Sequence, residues 1–375
     1  ITELIERHHT KGAVILGVFC QIVIQLVIIS LQYIAGGSIL HAILPDIFDF
    51  HTGMIVSAIT FIGITFIGGM WSASLSNVLN IILIYVGILA ATIIQFKKIG
   101  SMDHLAAALP ANVPWFSFID GVGPVTITSW VVTLITVNLS LQSILQISLG
   151  AKDAATAKKG FVWGGILMLP VGVLAAFLGL VAKAMYPDAQ AALALPQVIV
   201  GLQPVLAGIT LAALWAADVS TACTILLGAA TLFSNDIYKR FINPTVAENK
   251  FVIINRLSVF AVGLITLWFA FNAAGIVKTM IAGLSMTCGL TCVFFFTMFA
   301  PGLCRRSSAF WTTLVSLIGI ALWFVPGSPL AGIKPLFANE VIYFEWPICI
   351  ITFLLVAMLD KNKIKEVVEV PEKDE

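Results

Sequence analysis

The sequence predicts an all-α polytopic membrane protein with about ten transmembrane helices, on three observations. First, 59% of its 375 residues are hydrophobic and only 10% are charged, with a mean hydropathy of +1.04. Soluble domains carry about 25% charged residues. Second, the apolar residues fall into runs near the roughly 20 residues that span a bilayer. Third, Lys and Arg alternate between the ends of those runs in the way that membrane topology demands. Disorder and coiled coil are excluded by the same apolar content. A balance of 20 Lys+Arg against 19 Asp+Glu leaves no basic surface for nucleic acid.

The ten runs are 13–36, 53–70, 74–95, 124–146, 160–185, 204–234, 252–275, 278–300, 309–326 and 341–359. The residues from Thr2 to His9 read as a charged loop before the first. Pro45-Asp46, Lys97-Lys98, Lys152-Asp153, the stretch from Asp236 to Lys250, and Arg305-Arg306 mark connectors. Residues 1–360 form one transmembrane domain, and 361–375 read as a solvated, charged cytoplasmic tail. With the first residues inside, an even number of spans returns the C-terminus to the cytoplasm. Fifteen of the 20 Lys and Arg then lie inside and five outside. Trp115, Tyr186, Tyr343 and Trp346 fit the aromatic belts at the interfaces. The chain begins with Ile1 and shows no signal peptide, so it reads as a piece that starts mid-protein.

Cys20, Cys223, Cys288, Cys292, Cys304 and Cys349 form no CxxC pair and read as free, buried small residues. His8, His9, His41, His51 and His104 read as solvated loop residues. With no His/Asp/Glu cluster in the spans, an enzyme is the least favoured class.

Two runs carry the polar residues that matter. In 124–146, Thr126, Ser129, Thr133, Thr136, Ser140 and Ser143 recur at spacings of three and four, which puts six hydroxyls on one helix face. Such a face serves either close helix packing or a polar pathway. Asn138, Gln142 and Gln146 add amides beside it and favour the pathway. No Gly or Pro interrupts 125–146, so no helix break is readable there. In 204–234, Ala217, Asp218, Ser220, Thr221 and Thr224 share one arc of about 160° at mid-span. Hydroxyls and freed carbonyls would suit a small hard cation; the alternative is back-bonding of Ser220 and Thr221 to their own helix. Asp218 is either a protonated acid or the partner of a basic group.

The stretch Ala216-Ala217-Asp218-Val219-Ser220-Thr221, continuing through Leu226-Leu227 to Asp236-Ile237-Tyr238-Lys239-Arg240-Phe241 and Pro244, resembles the sodium/solute symporter family of proline, pantothenate and sodium/glucose carriers. Glu6-Arg7, Gly68-Gly69-Met70-Trp71 and Ala151-Lys152-Asp153 add to the resemblance. It implies a thirteen-helix carrier whose core is two inverted five-helix repeats. The present spans would be helices four to thirteen, the last two lying outside the core. About three upstream helices, including the one supplying half the sodium site, would be absent. The Ala217 carbonyl and the Ser220 and Thr221 hydroxyls match the family's sodium ligands. Asn77 and Cys223 stand where the family commonly has acids, Ile147 where it has an Arg, and Asp218 where it has an apolar residue.

The resulting expectation is a sodium-coupled symporter in the cell membrane that takes up a small polar solute by alternating access, with no cofactor beyond Na+. Thr133, Thr136, Asn138, Ser140 and Gln142 would line the solute path. Asp218 and Thr224 would assist cation or proton coupling. The rivals are proton coupling through Asp218 and a non-transporting membrane sensor or accessory subunit.

Overall fold

A computed structural model of the chain describes residues 2–273 and 276–364, with 2–4, 68–79, 146 and 276–279 described through the backbone alone. Residues 365–375, most of the expected tail, lie outside the described residues, as does the side chain of Asn77. Among the described residues the chain is helical, and its one extended pairing is a bridge between Arg305 and Lys363.

α1 (Thr2–His8) is a helix rather than the expected loop, because Ile5 is buried against the core. α2 (Lys11–Ile43) is capped by the Thr10 hydroxyl and is apolar on all sides. A helix with no polar face belongs in an interior, and α2 is the shaft around which the other helices pack. α3 (Phe50–Ile99) runs unbroken through Gly68-Gly69, where a turn between two spans was expected. At about 1.5 Å per residue it is about 75 Å long, over twice the bilayer core. It accordingly holds two separate candidate spans, Phe50–Ile67 and Asn80–Ile99. The backbones of α2 and α3 touch at glycines: a Cβ on Gly37 would meet the Met54 backbone nitrogen at 2.8 Å, and one on Gly53 the Gly37 carbonyl at 2.7 Å.

α4 (Met102–Ala108) lies outside the spans, and α5 (Pro124–Ser140) and α6 (Gln142–Leu149) meet at a bend of 53°. α7 (Ala154–Met185) is capped by Asp153, and α8 (Ala194–Val200) leads to α9 (Pro204–Thr231). α9 continues as π-helix from Leu232 to Ile242, through residues read as the start of a connector. In that segment Arg240 pairs with Glu6 at 3.0 Å and with Asp236 at 3.8 Å. α10 (Glu248–Phe271) follows; α11 (Ile276–Ser285) and α12 (Cys288–Phe299) share the next span. α13 (Ser308–Phe324) and α14 (Val341–Leu359) complete the fold. Eight stretches among the described residues are long and apolar enough to cross a membrane, nine with the bent pair. The tenth expected span is α13, whose 17 residues stand at the lower limit for crossing.

The bend between α5 and α6 is produced without Gly or Pro. Leu141 leaves helical geometry (φ −69°, ψ 125°), which frees backbone groups that hydrocarbon cannot solvate. One side chain from α2 answers two of them. Gln21, 0% exposed, donates from Nε2 to the Ser140 carbonyl at 2.6 Å and accepts the Gln142 N–H on Oε1 at 3.2 Å. From α12, the Thr291 hydroxyl lies 2.8 Å from the Thr136 carbonyl and 2.7 Å from Ser140 Oγ.

The last described residues meet the connector before α13. Arg305 Nε donates to the Asp360 carbonyl and the Arg306 N–H to the Asn362 carbonyl, and Ile364 is buried. The start of the expected tail is thus docked on the helical domain. All six cysteines are buried and free. His9, expected in a solvated loop, is buried as well: Nδ1 donates to the Arg305 carbonyl at 3.0 Å and Nε2 meets the Thr297 hydroxyl at 3.3 Å. His41 lies in the last turn of α2 and donates to the Phe48 carbonyl at 2.8 Å.

Two predictions follow from these contacts. Gln21→Leu strands the Ser140 carbonyl and the Gln142 N–H in an apolar interior at about 1–3 kcal/mol each. The purified variant should unfold at a lower temperature and exchange amide hydrogen faster at residues 140–144. Burial pulls the His9 imidazole down to about 4 against the help of the Arg305 carbonyl. Folding therefore favours the neutral ring. That contribution, about 3 kcal/mol, is complete above the ordinary imidazole range and is lost as pH falls towards 4. His9→Asn should flatten the acid side of the stability profile.

Candidate functional site

α9 carries the candidate site at mid-span. Ala217, Ser220, Thr221 and Thr224 line a cavity of about 450 Å³, walled on the other side by Leu141, Ser143 and Ile144 at the helix bend and by Asn80 of α3. The bend thus faces four of the five residues that sequence spacing grouped on one arc of α9, Asp218 being the exception. No lining residue is charged.

Through this stretch α9 is a regular helix, and the back-bonding alternative is realised. Ser220 Oγ donates to the Ala217 carbonyl at 2.8 Å, Thr221 Oγ1 to the same carbonyl at 3.0 Å, and Thr224 Oγ1 to the Ser220 carbonyl at 2.8 Å. A hydroxyl that gives its hydrogen inward keeps lone pairs for a ligand outside. Back-bonding and ligation are therefore compatible. The side offers three neutral hydroxyl oxygens, hard oxygen donors that suit a small cation, while the Ala217 carbonyl is occupied by the Ser220 and Thr221 hydroxyls.

Several expected site residues lie elsewhere. Thr133, Thr136 and Ser140 are fully buried on a packing face and line no part of the cavity. Thr133 and Thr136 donate to the Ser129 and Val132 carbonyls, Thr136 Oγ1 also accepts from Trp346 Nε1 of α14 at 3.0 Å, and Ser140 Oγ meets Thr291 of α12. These bonds make the hydroxyl face a packing surface against α12 and α14. Asn138 is exposed and donates to its own Leu134 carbonyl. Gln142 acts through its backbone, held by Gln21. From the expected stripe, only Ser143 reaches the cavity.

Asp218 is also turned away from it. The side chain is 7% exposed and points between α2 and α3, where a Cβ on Gly36 would lie 2.8 Å from Asp218 Oδ2 and 2.6 Å from Ser57 Oγ. Cys223, on the same helix, donates to the Phe61 carbonyl of α3 at 3.6 Å.

Buried polar residues outside the expected site include Asn80 of the cavity wall and three more. Gln21 holds the bend. Gln25, one turn along the same face of α2, is 0% exposed with both amide atoms unpartnered. Glu345 of α14 is 0% exposed and accepts from Ser316 Oγ at 2.6 Å. Each interrupts a long apolar run, and that interruption was the available signal.

The chain is similar to known carriers over most of its length. A Staphylococcus aureus sodium/proline symporter is 23% identical over 361 residues, covering 90% of this chain and 69% of that protein. A Danio rerio sodium/glucose cotransporter 4 is 24% identical over 355 residues, covering 78% of this chain and 52% of its own length. The chain thus spans about half to two-thirds of these relatives. The solved structure of a Na+-coupled sialic acid symporter, substrate-bound and outward-open, superposes with a TM-score of 0.75 over 98% of this chain and 78% of its own, at 17% identity, which establishes the shared fold. The sodium:solute symporter family model matches residues 2–316. The chain is a multi-pass membrane transporter rather than an enzyme, and it belongs to the sodium:solute symporter family.

Proposed function

We propose that the chain is the greater part of a carrier that couples inward sodium flow to uptake of a small polar solute by alternating access. The observation that carries this reading is the convergence of Ala217, Ser220 and Thr221 with the helix bend on one cavity. Sodium is the coupling ion, held by the Ala217 carbonyl and the two hydroxyls, with Thr224 a turn further along the same side. Together these supply three or four of the five or six oxygens such an ion takes.

Uncharged ligands suit a monovalent ion that must leave as readily as it enters. A cation between α9 and the bend bridges two elements that separate or approach during alternation, so it biases the carrier towards one of its states. Solute then favours sodium by the same factor by which sodium favours solute. The α9 signature, including its carbonyl-and-hydroxyl triad, supports sodium as the ion. The transporter domain is residues 1–360 in the cell membrane, with residues 361–375 on the cytoplasmic side. The excess of Lys and Arg on that side supports the orientation.

Ser220→Ala or Thr221→Ala removes one oxygen ligand, worth about 1.5–3 kcal/mol by analogy with hydrogen bonds to charged groups. Binding of radioactive sodium to the whole purified transporter should weaken by about ten- to a hundredfold in either variant. Thr133→Ala, on the packing face, should leave sodium affinity unchanged while lowering thermal stability. Sodium binding that is insensitive to both Ser220 and Thr221 would refute the assignment.

A further inference from the structure

Away from the cavity, α13 and α14 leave a groove of about 390 Å³ between them, walled by Trp311, Thr352, Leu355 and Leu359, with Ser307 and Asp360 at its mouth. Trp311, Leu355 and Leu359 are exposed, so in a membrane the groove opens onto lipid. Ser307 precedes α13 and Asp360 follows α14, which puts the mouth at the membrane surface. From Asp360 to Thr352 the groove follows α14 for about 12 Å at ~1.5 Å per residue. That is most of one leaflet of a hydrocarbon core ~30 Å thick.

The mouth is basic. The bridge between Arg305 and Lys363, and the bond of the Arg306 N–H to the Asn362 carbonyl at 3.0 Å, bring Arg305, Arg306, Lys361 and Lys363 together there. Cys304 and Ile364 beside the bridge are buried, which anchors the pairing in the core. Arg306, Lys361 and Lys363 are exposed, and among the described residues no carboxylate forms an ion pair with them. Arg305 donates to the neutral carbonyls of Gly302, Cys304 and Asp360. The Asp360 carboxylate is already engaged by the Ser307 hydroxyl and the Asn362 N–H.

We propose that this groove seats one anionic phospholipid of the leaflet at that end, an acyl chain lying along Trp311 and Leu355 and the phosphate among Arg306, Lys361 and Lys363. Charge selects the headgroup: each cation just outside a span contributes about fivefold in affinity for an anionic lipid surface. The wall below selects the chain. An extended polypeptide laid there would strand its N–H and C=O groups in hydrocarbon, whereas an acyl chain has none. A second copy meeting this face about a twofold axis would set basic mouth against basic mouth. The bound lipid ties α13 to α14, and α14 carries Trp346, which bonds Thr136 near the bend. The inference rests on the membrane assignment; neither the sodium reading nor the orientation of the chain enters it.

The test is native mass spectrometry of the whole purified transporter in neutral detergent, titrated with dioleoyl phosphatidylglycerol or dioleoyl phosphatidylcholine. Thermal unfolding is recorded on the same samples. The wild type should hold one phosphatidylglycerol about tenfold or more tightly than phosphatidylcholine, and should unfold at a higher temperature with it bound. Arg306→Ala/Lys361→Ala/Lys363→Ala should lose most of that preference. Lys158→Ala/Lys159→Ala, which removes an exposed basic pair near the start of α7, should keep it. Thr352→Trp, which fills the groove, should weaken both lipids. Two lipids that bind alike, a preference that survives the triple variant, or one that the Lys158/Lys159 variant loses equally, overturns the inference. So does inorganic phosphate that reproduces the stabilisation without lipid, since the mouth would then be a site for a soluble anion. A dimer that Thr352→Trp dissociates would give the groove to a second copy and overturn it too.

Discussion

A peptide group inside a bilayer has no water to turn to, so a helix can open there only where some other part of the protein takes over its hydrogen bonds. In this chain that requirement is met at Leu141 by Gln21, whose amide bonds the carbonyl before the bend and the N–H after it. The cavity exists because the bend does, and the bend is held from α2. Thr291 reinforces it from α12, and Trp346 ties Thr136 to α14. The three hydroxyls Thr133, Thr136 and Ser140 therefore belong to the frame that fixes the site. The oxygens that face the cavity from α9 are those of Ser220, Thr221 and Thr224.

This division of labour explains what could be read in advance. The spans were legible because hydrocarbon imposes a length and a composition on any chain that crosses it. The arc of Ala217, Ser220, Thr221 and Thr224 was legible because helical periodicity fixes shared faces. The bend was not legible, since its cause lies 119 and 121 residues away along the chain. Periodicity likewise showed that the α5 hydroxyls share a side, yet it carries no information about which helix that side meets. The same gap separates Asp218 from its true surroundings: 100° of rotation takes it from the cavity to Gly36 and Ser57. The continuity of α3 through Gly68-Gly69 and the π-helical run after Thr231 were missed for a related reason. Connectors were expected there, and the backbone stays helical through both.

Glycine supplies the complementary device. Gly36, Gly37 and Gly53 let α2 and α3 meet backbone to backbone, which brings Ser57 up to α9 and closes the space around Asp218. An acid tolerated in that setting differs from the neutral oxygens of the cavity in what it can hold. Two neighbouring positions of one helix thus face two chemically distinct compartments, one roomy and uncharged, the other tight and acidic.

The burial of every cysteine has a practical corollary. Cys20, Cys223, Cys288, Cys292, Cys304 and Cys349 are each at most 5% exposed, so in this conformation the native protein presents almost no thiol to an aqueous reagent. A single cysteine engineered on the cavity rim, at Ile81 or Ile147, would stand out against a nearly silent background. Spin labels, fluorophores or crosslinkers could then report on the opening of the cavity in the otherwise native sequence, with no need for a cysteine-free parent.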